Sequence, residues 1–231
     1  MSFHYSGDEL PLMAQAVHWK SYIAKLVRPY MGSSVLEVGA GIGNNIPFMF
    51  RSPVSQWTAL EPDATQAAQI TGAGVRVVVG TLAAIDATER FDAILYFDVL
   101  EHIEDDAREL RHAAARLTPG GRLVILSPAH PFLFSPMDTA VGHFRRYTSA
   151  RLRELTPEGC LLERLILVDS VGFFASLANR LLLRTPALSA GQLRLWDGFL
   201  VPVSLVLDRL LFYHFGRSIL AVWRRNDLAG N

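Results

Sequence analysis

The sequence has very little cysteine, since Cys160 is the single one in 231 residues. A lone cysteine excludes an internal disulfide and a cysteine-based metal cluster. It also suits a reducing compartment, so we predict a cytoplasmic protein with Cys160 in its core. The N-terminal segment lacks a basic flank followed by an apolar run, which argues against a secretory signal. A membrane-spanning helix is not expected, because no run approaches the roughly 18 uninterrupted apolar residues that a span requires.

The sequence also lacks an excess of either charge, with 22 basic and 22 acidic residues. A balanced chain has no overall field that would attract nucleic acid, and we expect no nucleic-acid partner. What the chain has in quantity is apolar residues, which make up 50% of it. That proportion suffices for one large core, so we predict a single domain over residues 1–231.

The most informative stretch is 35–45, VLEVGAGIGNN, in which a short apolar run leads into alternating glycines. The glycines are Gly39, Gly41 and Gly43. This pattern predicts a buried strand that ends in a tight loop, where the backbone can approach a ligand. Glu37 lies inside the strand, and a buried carboxylate needs a partner, so a cation beside a closely packed small molecule is indicated. Asn44 stands where a dinucleotide-binding turn carries glycine, which disfavours an NAD-dependent oxidoreductase.

The E-x-G-x-G-x-G pattern resembles the first motif of the class I S-adenosylmethionine-dependent methyltransferases. The resemblance implies that Glu37 lies near the amino group of the cofactor's methionine part and that the glycine loop lies under the cofactor. It also implies that the segment before the first strand, residues 1–31, covers the cofactor, with Tyr5 or Trp19 in contact with it. An amphipathic helix is predicted over 9–30. Because aromatic residues at helical spacing are usually core, packing of Trp19 is the alternative.

An acid follows the second predicted strand, 56–60. Glu61 stands at the carboxyl end of that strand, and its two oxygens can accept the two hydroxyls of a ribose. We assign Glu61 and the adjacent Pro62 to the cofactor site. The alternative is that Glu61 caps the helix that begins near Asp63, since acids are common at helix N-termini.

The third predicted strand, 75–79, ends before Thr81 and Leu82. The resemblance implies that the adenine lies beside this turn, where many members place an acid or amide on the exocyclic amine. Thr81 departs from that pattern, so backbone groups of Leu82 are an alternative to its side chain.

The fourth predicted strand, 91–97, runs into LEHI at 100–103, which closely matches the fourth motif of the same family. The resemblance implies that Phe97, at the end of this strand, lies under the transferable methyl group of the cofactor. We predict structural roles for Asp98 and His102, because a loop histidine more often bonds neighbouring amides than performs catalysis.

Strands and helices alternate at short intervals from residue 35 to residue 126. Because parallel neighbours need crossover connections, this order predicts an α/β fold. We expect a doubly wound, mostly parallel, seven-stranded Rossmann-like sheet with helices on both faces. Ligands of such sheets bind outside the carboxyl ends of the strands. Glu37, Glu61, Thr81 and Phe97 all fall at that edge, which predicts one binding site built from four segments.

The stretch 127–147 contains three prolines, which predict an irregular loop, and it carries groups suited to act on a methyl acceptor. Methyl transfer is an in-line displacement, and a hydroxyl acceptor must also lose a proton. We predict His143 as the general base, with His130 as the second candidate. No metal site is predicted, because no cluster of histidine and carboxylate shows ligand spacing.

Three further residues of this stretch are predicted to handle the acceptor. Arg145 or Arg146 orients an anionic group, and Tyr147 donates a hydrogen bond. The alternative, equally supported, is a latch in which these side chains pin the loop to Asp138 or Glu154. A carboxylate acceptor would need no base and would give the arginines the larger role.

Residues 172–214 precede the last predicted strand, 215–224, and are longer and more apolar than a hairpin needs. We predict two or three amphipathic helices, interrupted near Pro186 and Pro202. The excess of apolar side chains has three interpretations. In order of preference they are a lid over an apolar substrate, a homodimer interface, and a surface docked on the inner face of the membrane.

Together these patterns predict an S-adenosylmethionine-dependent methyltransferase. Its predicted acceptor is an apolar or amphipathic small molecule, methylated at a hydroxyl or carboxylate oxygen. Two alternatives stay open: a cofactor-binding or membrane-docking module without turnover, and an NAD-dependent oxidoreductase.

Overall fold

The computed structural model describes residues 10–51, 54–183 and 189–226. Within these residues the strands are β1 Ser34–Val38, β2 Gln56–Glu61, β3 Val75–Val79, β4 Phe91–Phe97, β5 Leu117–Pro128, β6 Cys160–Val168 and β7 Ser218–Arg225. All seven form one sheet in the order β3-β2-β1-β4-β5-β7-β6. The first five pair in parallel, whereas β7 runs antiparallel between β5 and β6. The predicted mostly parallel, seven-stranded α/β sheet is confirmed.

Ten α-helices are distributed among the strands of the described residues. They are α1 Leu10–Met13, α2 Val17–Val27, α3 Ile46–Met49, α4 Ala64–Ala67, α5 Asp106–Ala114, α6 Pro136–Ala140, α7 Ser149–Glu154, α8 Ser170–Ala178, α9 Ala190–Leu195 and α10 Val201–Leu210. Short 3-10 helices span Arg28–Tyr30, Leu82–Ala84, Leu100–His102 and Pro131–Leu133, and π-helical turns span Asn179–Leu183 and Trp196–Leu200. No helix in the described ranges is both long enough and apolar enough to cross a membrane.

Side chains of the central strands alternate between two cores, because successive residues of a strand point to opposite faces of the sheet. On one face Val35 belongs to a core that includes Ile23 of α2. On the other face Leu36 belongs to a core that includes Leu110 of α5. Both faces of the sheet are therefore covered, which explains why β1 and β4 are apolar almost throughout, as buried parallel strands usually are.

The predicted N-terminal helix over 9–30 is two helices, α1 and α2, that are separated at 14–16. The start of α2 is fixed by an acid from a distant segment. The carboxylate of Asp197 accepts hydrogen bonds from the backbone N–H groups of His18, at 3.1 Å, and Trp19, at 2.8 Å. These amides have no partner inside the helix, so the carboxylate decides where the helix begins.

The prediction that 127–147 is irregular is wrong in part. Pro131 begins a 3-10 helix and Pro136 begins α6. A proline in the first turn gives up no helical hydrogen bond, so it can start a helix that it could not continue. The carboxylate of Asp138 closes the first turn of α6 by accepting from the amide and the hydroxyl of Ser135, at 2.9 and 3.0 Å.

The predicted amphipathic helices of the insertion correspond to α8, α9 and α10. Pro186 lies outside the described residues. Pro202 does not interrupt the helix, because it lies in the first turn of α10, directly after the π-helical turn Trp196–Leu200. Proline has no backbone N–H to donate to a helical hydrogen bond. The pattern of helical hydrogen bonds changes from π to α just before this proline.

Candidate functional site

The loop after β1 brings bare backbone to the carboxyl edge of the sheet. Its glycines have positive φ, which side chains disfavour, at +67° for Gly39, +57° for Gly41 and +80° for Gly43. A Cβ on Gly39 would lie 2.6 Å from Cγ2 of Val99, which follows β4. The loop therefore needs glycine both for its conformation and for its close approach to the β4 end.

Glu37 is the most unusual group beside this loop. Its side chain is 1% exposed, and Oε1 accepts from Nδ2 of Asn45 at 2.9 Å. The other oxygen, Oε2, is buried and has no hydrogen-bond partner among the described residues. Burial raises the pKa of Glu37 to about 7, the neighbouring polar groups of Asn45 and Trp57 oppose that rise, and the charge of Glu61 adds to it. A buried oxygen without a partner is costly, so the arrangement suits a ligand that supplies a cationic donor.

Glu61, at the end of β2, points at the same loop. Its Oε2 accepts from the backbone N–H of Gly41 at 2.7 Å, and its Oε1 accepts from that of Asp63 at 2.9 Å. Burial raises the pKa of Glu61. The helix α4 is capped by Asp63, which accepts from Thr65 and Gln66, so the capping interpretation of Glu61 is wrong. Each oxygen of Glu61 keeps a second lone pair for a ligand hydroxyl.

The carboxyl ends of β1 to β4 lie side by side. Val38 is level with Leu60 and with Tyr96, and Glu61 is level with Val79. The parallel pairing explains this alignment, because strands that enter the sheet in the same direction also leave it at the same edge.

Four more predicted cofactor residues lie at this edge. Leu82 and Phe97 are buried, Pro62 is half-buried, and Thr81 is exposed. The structure thus gathers Pro62, Thr81, Leu82 and Phe97 around the strand ends, with the Thr81 side chain the most open to solvent.

The aromatic residues predicted to cover the cofactor have different positions. Tyr5 lies outside the described residues. Trp19 is 6% exposed, and its ring packs 5.5 Å from that of Trp196 in the insertion and 6.1 Å from that of Tyr22. Because the side chain is used in packing, we do not carry Trp19 into the proposed cofactor site. Leu10 of α1 lies over the glycine loop instead, with Cδ1 3.2 Å from where a Cβ on Gly41 would be.

A second polar group of side chains centres on His143. Its Nδ1 lies 2.9 Å from Oδ1 of Asp138. The Asp138 carboxylate also accepts two hydrogen bonds from Arg146, one from Nε at 2.8 Å and one from a second guanidinium nitrogen at 2.9 Å. Burial disfavours a charged Asp138, but the hydrogen bonds from His143 and Arg146 outweigh it and lower its pKa. Because an ionised carboxylate only accepts, Nδ1 of His143 carries a proton, so in the neutral imidazole the lone pair is on Nε2.

Glu101 and His102 complete this group. The Glu101 side chain is 0% exposed, its Oε2 accepts from the hydroxyl of Ser127 at 3.0 Å, and its Oε1 lies 3.8 Å from Nε2 of His143. Burial raises the pKa of Glu101 well above its usual range. The His102 ring meets the His143 ring edge-on at 4.6 Å, and burial lowers the pKa of His102 to about 4.

The expectation of no metal site stays a prediction, but the structure brings together three potential ligands that the sequence did not indicate. One donor atom each from Glu101, His102 and His143 lie within 4.8 Å of one another. The three residues come from two distant segments, the turn after β4 and the loop after α6, so spacing along the chain could not indicate the cluster. Folding creates the proximity.

The latch interpretation of Arg145, Arg146 and Tyr147 accounts for their contacts. Arg146 pairs with Asp138, as that interpretation predicted. Arg145 and Tyr147 contact Asp106 rather than Glu154. The Asp106 carboxylate lies 2.8 Å from the Arg145 guanidinium group and accepts a hydrogen bond from the Tyr147 hydroxyl at 3.2 Å. The Tyr147 hydroxyl is also 3.2 Å from the carbonyl of Leu100 and is fully buried.

His130 lies elsewhere on the same loop. Its Nε2 is 2.9 Å from the carbonyl of Gly216, and because a carbonyl only accepts, that nitrogen carries the proton. The ring packs against Phe132 at 5.3 Å and against Phe173 of α8 at 5.4 Å. Burial lowers the pKa of His130. This histidine thus links the loop to the insertion.

Three residues of the site were not singled out from the sequence. Asn45 follows the glycine loop, Glu101 lies in the LEHI turn, and Asp106 begins α5. A usable signal existed for Glu101, an acid between the apolar Leu100 and Ile103. No local signal existed for Asn45 or Asp106, because their roles depend on which way each side chain points.

Comparison with known proteins places the chain in a family. A model of the methyltransferase domain matches residues 15–161. A ubiquinone biosynthesis O-methyltransferase of Paramagnetospirillum magneticum is 34% identical over 106 residues, which are 42% of this chain and 41% of that protein. A demethylmenaquinone methyltransferase of Tropheryma whipplei is 31% identical over 147 residues, which are 61% of this chain and 60% of that protein. The chain thus spans about half the length of these curated relatives.

The fold agrees with that assignment. A solved geranyl diphosphate methyltransferase in complex with S-adenosylmethionine has a TM-score of 0.64 at 14% identity, over 95% of this chain and 91% of that chain. The predictions of the family and of S-adenosylmethionine as its cofactor are confirmed at the level of the family. With its glycine loop, its two strand-end acids and its sheet order, the chain belongs to the methyltransferase domain family and has the fold of the class I S-adenosylmethionine-dependent methyltransferases.

Proposed function

We propose that this chain transfers a methyl group from S-adenosylmethionine to an oxygen atom of an apolar or amphipathic small molecule. The observation that carries the proposal is Oε2 of Glu37, which is buried without a hydrogen bond to any described residue and lies beside a loop that must be glycine. A buried carboxylate oxygen of this kind fits the ammonium group of the cofactor, and bare backbone fits its close approach. When bound, S-adenosylmethionine supplies an electrophilic methyl group.

The other cofactor contacts follow from the order of the strand ends. Glu61 accepts the ribose hydroxyls with the lone pairs that Gly41 and Asp63 leave over. Thr81 and Leu82, after β3, flank the adenine, and Phe97, at the end of β4, lies towards the transferable methyl group. This assignment rests on the side-by-side alignment of β1 to β4.

We assign proton removal from the acceptor to His143. The hydrogen bond to Asp138 holds its Nδ1 in the protonated form, so Nε2 is the atom that accepts a proton. A hydroxyl is the favoured acceptor over a carboxylate, because the arginines that would orient an anion are already engaged. Arg145 pairs with Asp106 and Arg146 with Asp138. The names of the relatives, an O-methyltransferase of ubiquinone biosynthesis and a demethylmenaquinone methyltransferase, support an amphipathic acceptor.

The insertion supports an apolar part in the acceptor. Phe173 of α8 packs against His130 and Phe132, so the insertion is in contact with the loop that also carries His143. We propose that it acts as a lid over the apolar part of the acceptor. Large apolar side chains of the insertion face solvent as well, among them Phe174, Leu195, Phe199, Leu210 and Phe212. Contact with a membrane surface or with a second copy of the chain are the alternatives to the lid.

The test is methyl transfer from radiolabelled S-adenosylmethionine to phenols with and without an apolar tail. We expect transfer to the tailed phenol, and we expect His143→Asn to lower kcat by at least about 100-fold. Affinity for S-adenosylhomocysteine should stay unchanged in this variant. The matched control is His112→Asn, a change of an exposed residue on α5. Tight binding of S-adenosylhomocysteine without transfer to any offered phenol, acid or lipid headgroup would instead support a binding module without turnover.

A further inference from the structure

We infer that Glu101, His102 and His143 form a binding site for one first-row divalent transition-metal ion, such as Zn²⁺ or Co²⁺. Their donor atoms lie within 4.8 Å of one another. Zinc binds histidine nitrogen and carboxylate oxygen at about 2.0 to 2.2 Å, so a single ion placed between these atoms reaches them after small side-chain adjustments. Nε2 of His143 and Oε1 of Glu101, for example, are 3.8 Å apart.

The His143 side chain is already arranged as a ligand. Its Nδ1 donates to Asp138, and Asp138 is itself held by both guanidinium contacts of Arg146. Metal-binding histidines usually donate their second ring nitrogen to a carboxylate in this way, which fixes the ring and leaves the other nitrogen free to bind. Here the nitrogen left over is Nε2, which faces Glu101.

The Glu101 side chain supplies the independent observation. It is fully buried, and Ser127 fixes only one of its oxygens. Oε1 is aimed into the cluster and has no hydrogen-bond partner in the described part of the chain. A buried carboxylate oxygen needs compensation, and a cation between Glu101 and the two imidazoles provides it.

The donor set selects the kind of ion. Two imidazole nitrogens and one carboxylate oxygen suit zinc, cobalt, iron or manganese, whereas Mg²⁺ and Ca²⁺ prefer sites built from oxygen. Three protein ligands also leave one position for a further ligand, as in catalytic zinc sites. Val99, two residues before Glu101, lies against Gly39 of the glycine loop, so the cluster is next to the cofactor edge.

This placement gives the ion a role that rests on the proposed methyl transfer and replaces the proton removal assigned above to His143. An acceptor hydroxyl at the open position has its pKa lowered by the ion. Its O–H bond then breaks at neutral pH, the oxygen keeps the electron pair, and the proton passes to water. In that case His143 acts as a ligand, and its loss removes metal binding together with turnover.

The test titrates chelator-treated protein with Co²⁺ and follows its visible absorption, with Zn²⁺ as competitor. We expect one Co²⁺ per chain, displaced by one Zn²⁺. Glu101→Gln, which keeps the side-chain shape, and His143→Asn should each weaken the affinity by at least about 100-fold. His112→Asn is the control that removes an exposed histidine. Circular dichroism checks that each variant folds.

The outcomes separate this inference from the proposed function. No Co²⁺ spectrum in the folded wild-type protein, or equal Co²⁺ affinity in the wild type and the Glu101→Gln variant, would overturn the metal site. Methyl transfer that continues in chelator-treated protein would overturn the catalytic role of the ion but would not count against the proposed methyltransferase activity. A bound ion without any methyl transfer would keep the site and count against the proposed function.

Discussion

At the scale of one residue, burial of Glu37 destabilises its charged carboxylate, and a bound ligand can offset that destabilisation. Its burial raises the pKa to about 7, so the folded protein binds a proton there more tightly than the unfolded chain does. A folded pKa above the unfolded one means that this stability is fully present below the unfolded pKa and is lost as the pH rises through the folded pKa. The unliganded protein should therefore weaken as the pH approaches neutrality.

We expect Glu37 alone to lower the free energy of unfolding by about 3 kcal/mol between about pH 4.5 and about pH 7 and above. The Glu37→Gln variant should lose that part of the pH dependence. Urea unfolding of both proteins at acidic and at slightly alkaline pH measures the difference, and Glu158→Gln, a change of an exposed acid, is the control. Identical pH profiles of the wild type and Glu37→Gln would show that the carboxylate is not buried as described.

At the scale of elements, a carboxylate joins the insertion to the body of the fold. Asp208 of α10 accepts from the hydroxyl of Tyr22 on α2 at 2.7 Å, and from the backbone N–H groups of Asp169 and Ser170 at 2.7 and 2.9 Å. Asp208 is fully buried. One acid thus holds α10, α2 and the start of α8 together.

Replacing Tyr22 by phenylalanine removes one charge-assisted bond of this junction. We expect the free energy of unfolding to fall by about 1.5 to 3 kcal/mol, because hydrogen bonds to charged groups are worth that much when buried. The matched control is Tyr30→Phe, which removes a half-buried hydroxyl that accepts from Arg164 and should cost less than about 1 kcal/mol. Denaturant unfolding compares the two variants, and equal losses would mean that Asp208 does not hold the elements together.

Some features of these elements could be predicted from the sequence, and others could not. The strand ends at Glu37, Glu61 and Phe97 were predictable, because each is a local motif and parallel pairing brings the ends to one edge. The break before α2 was not, since it depends on Asp197 from another segment. For the same reason the pairing of Glu101 with His143 appears only in the folded chain. Each of these contacts is made by residues far apart in sequence, and side-chain direction decides it.

At the scale of the whole molecule, the cofactor edge lies between the two cores, so ligand binding should stabilise the entire fold. S-adenosylhomocysteine at about 100 times its Kd should add about 2.7 kcal/mol, which is a rise in Tm of about 5 to 10 °C for a chain of this size. Adenosine lacks the ammonium group and should give a smaller rise at equal concentration. Differential scanning calorimetry measures both shifts, and equal shifts would place the ammonium group away from Glu37.

The sheet order has a consequence for synthesis on the ribosome. β7 is the last of the seven strands to be translated, yet it lies between β5 and β6 and bonds to both. Until β7 emerges, a nascent chain presents β5 as an open edge, and β6 has no neighbour to join. Unpaired edges invite pairing with other chains, so the interval between translation of β6 and of β7 is when the growing polypeptide most needs chaperone protection.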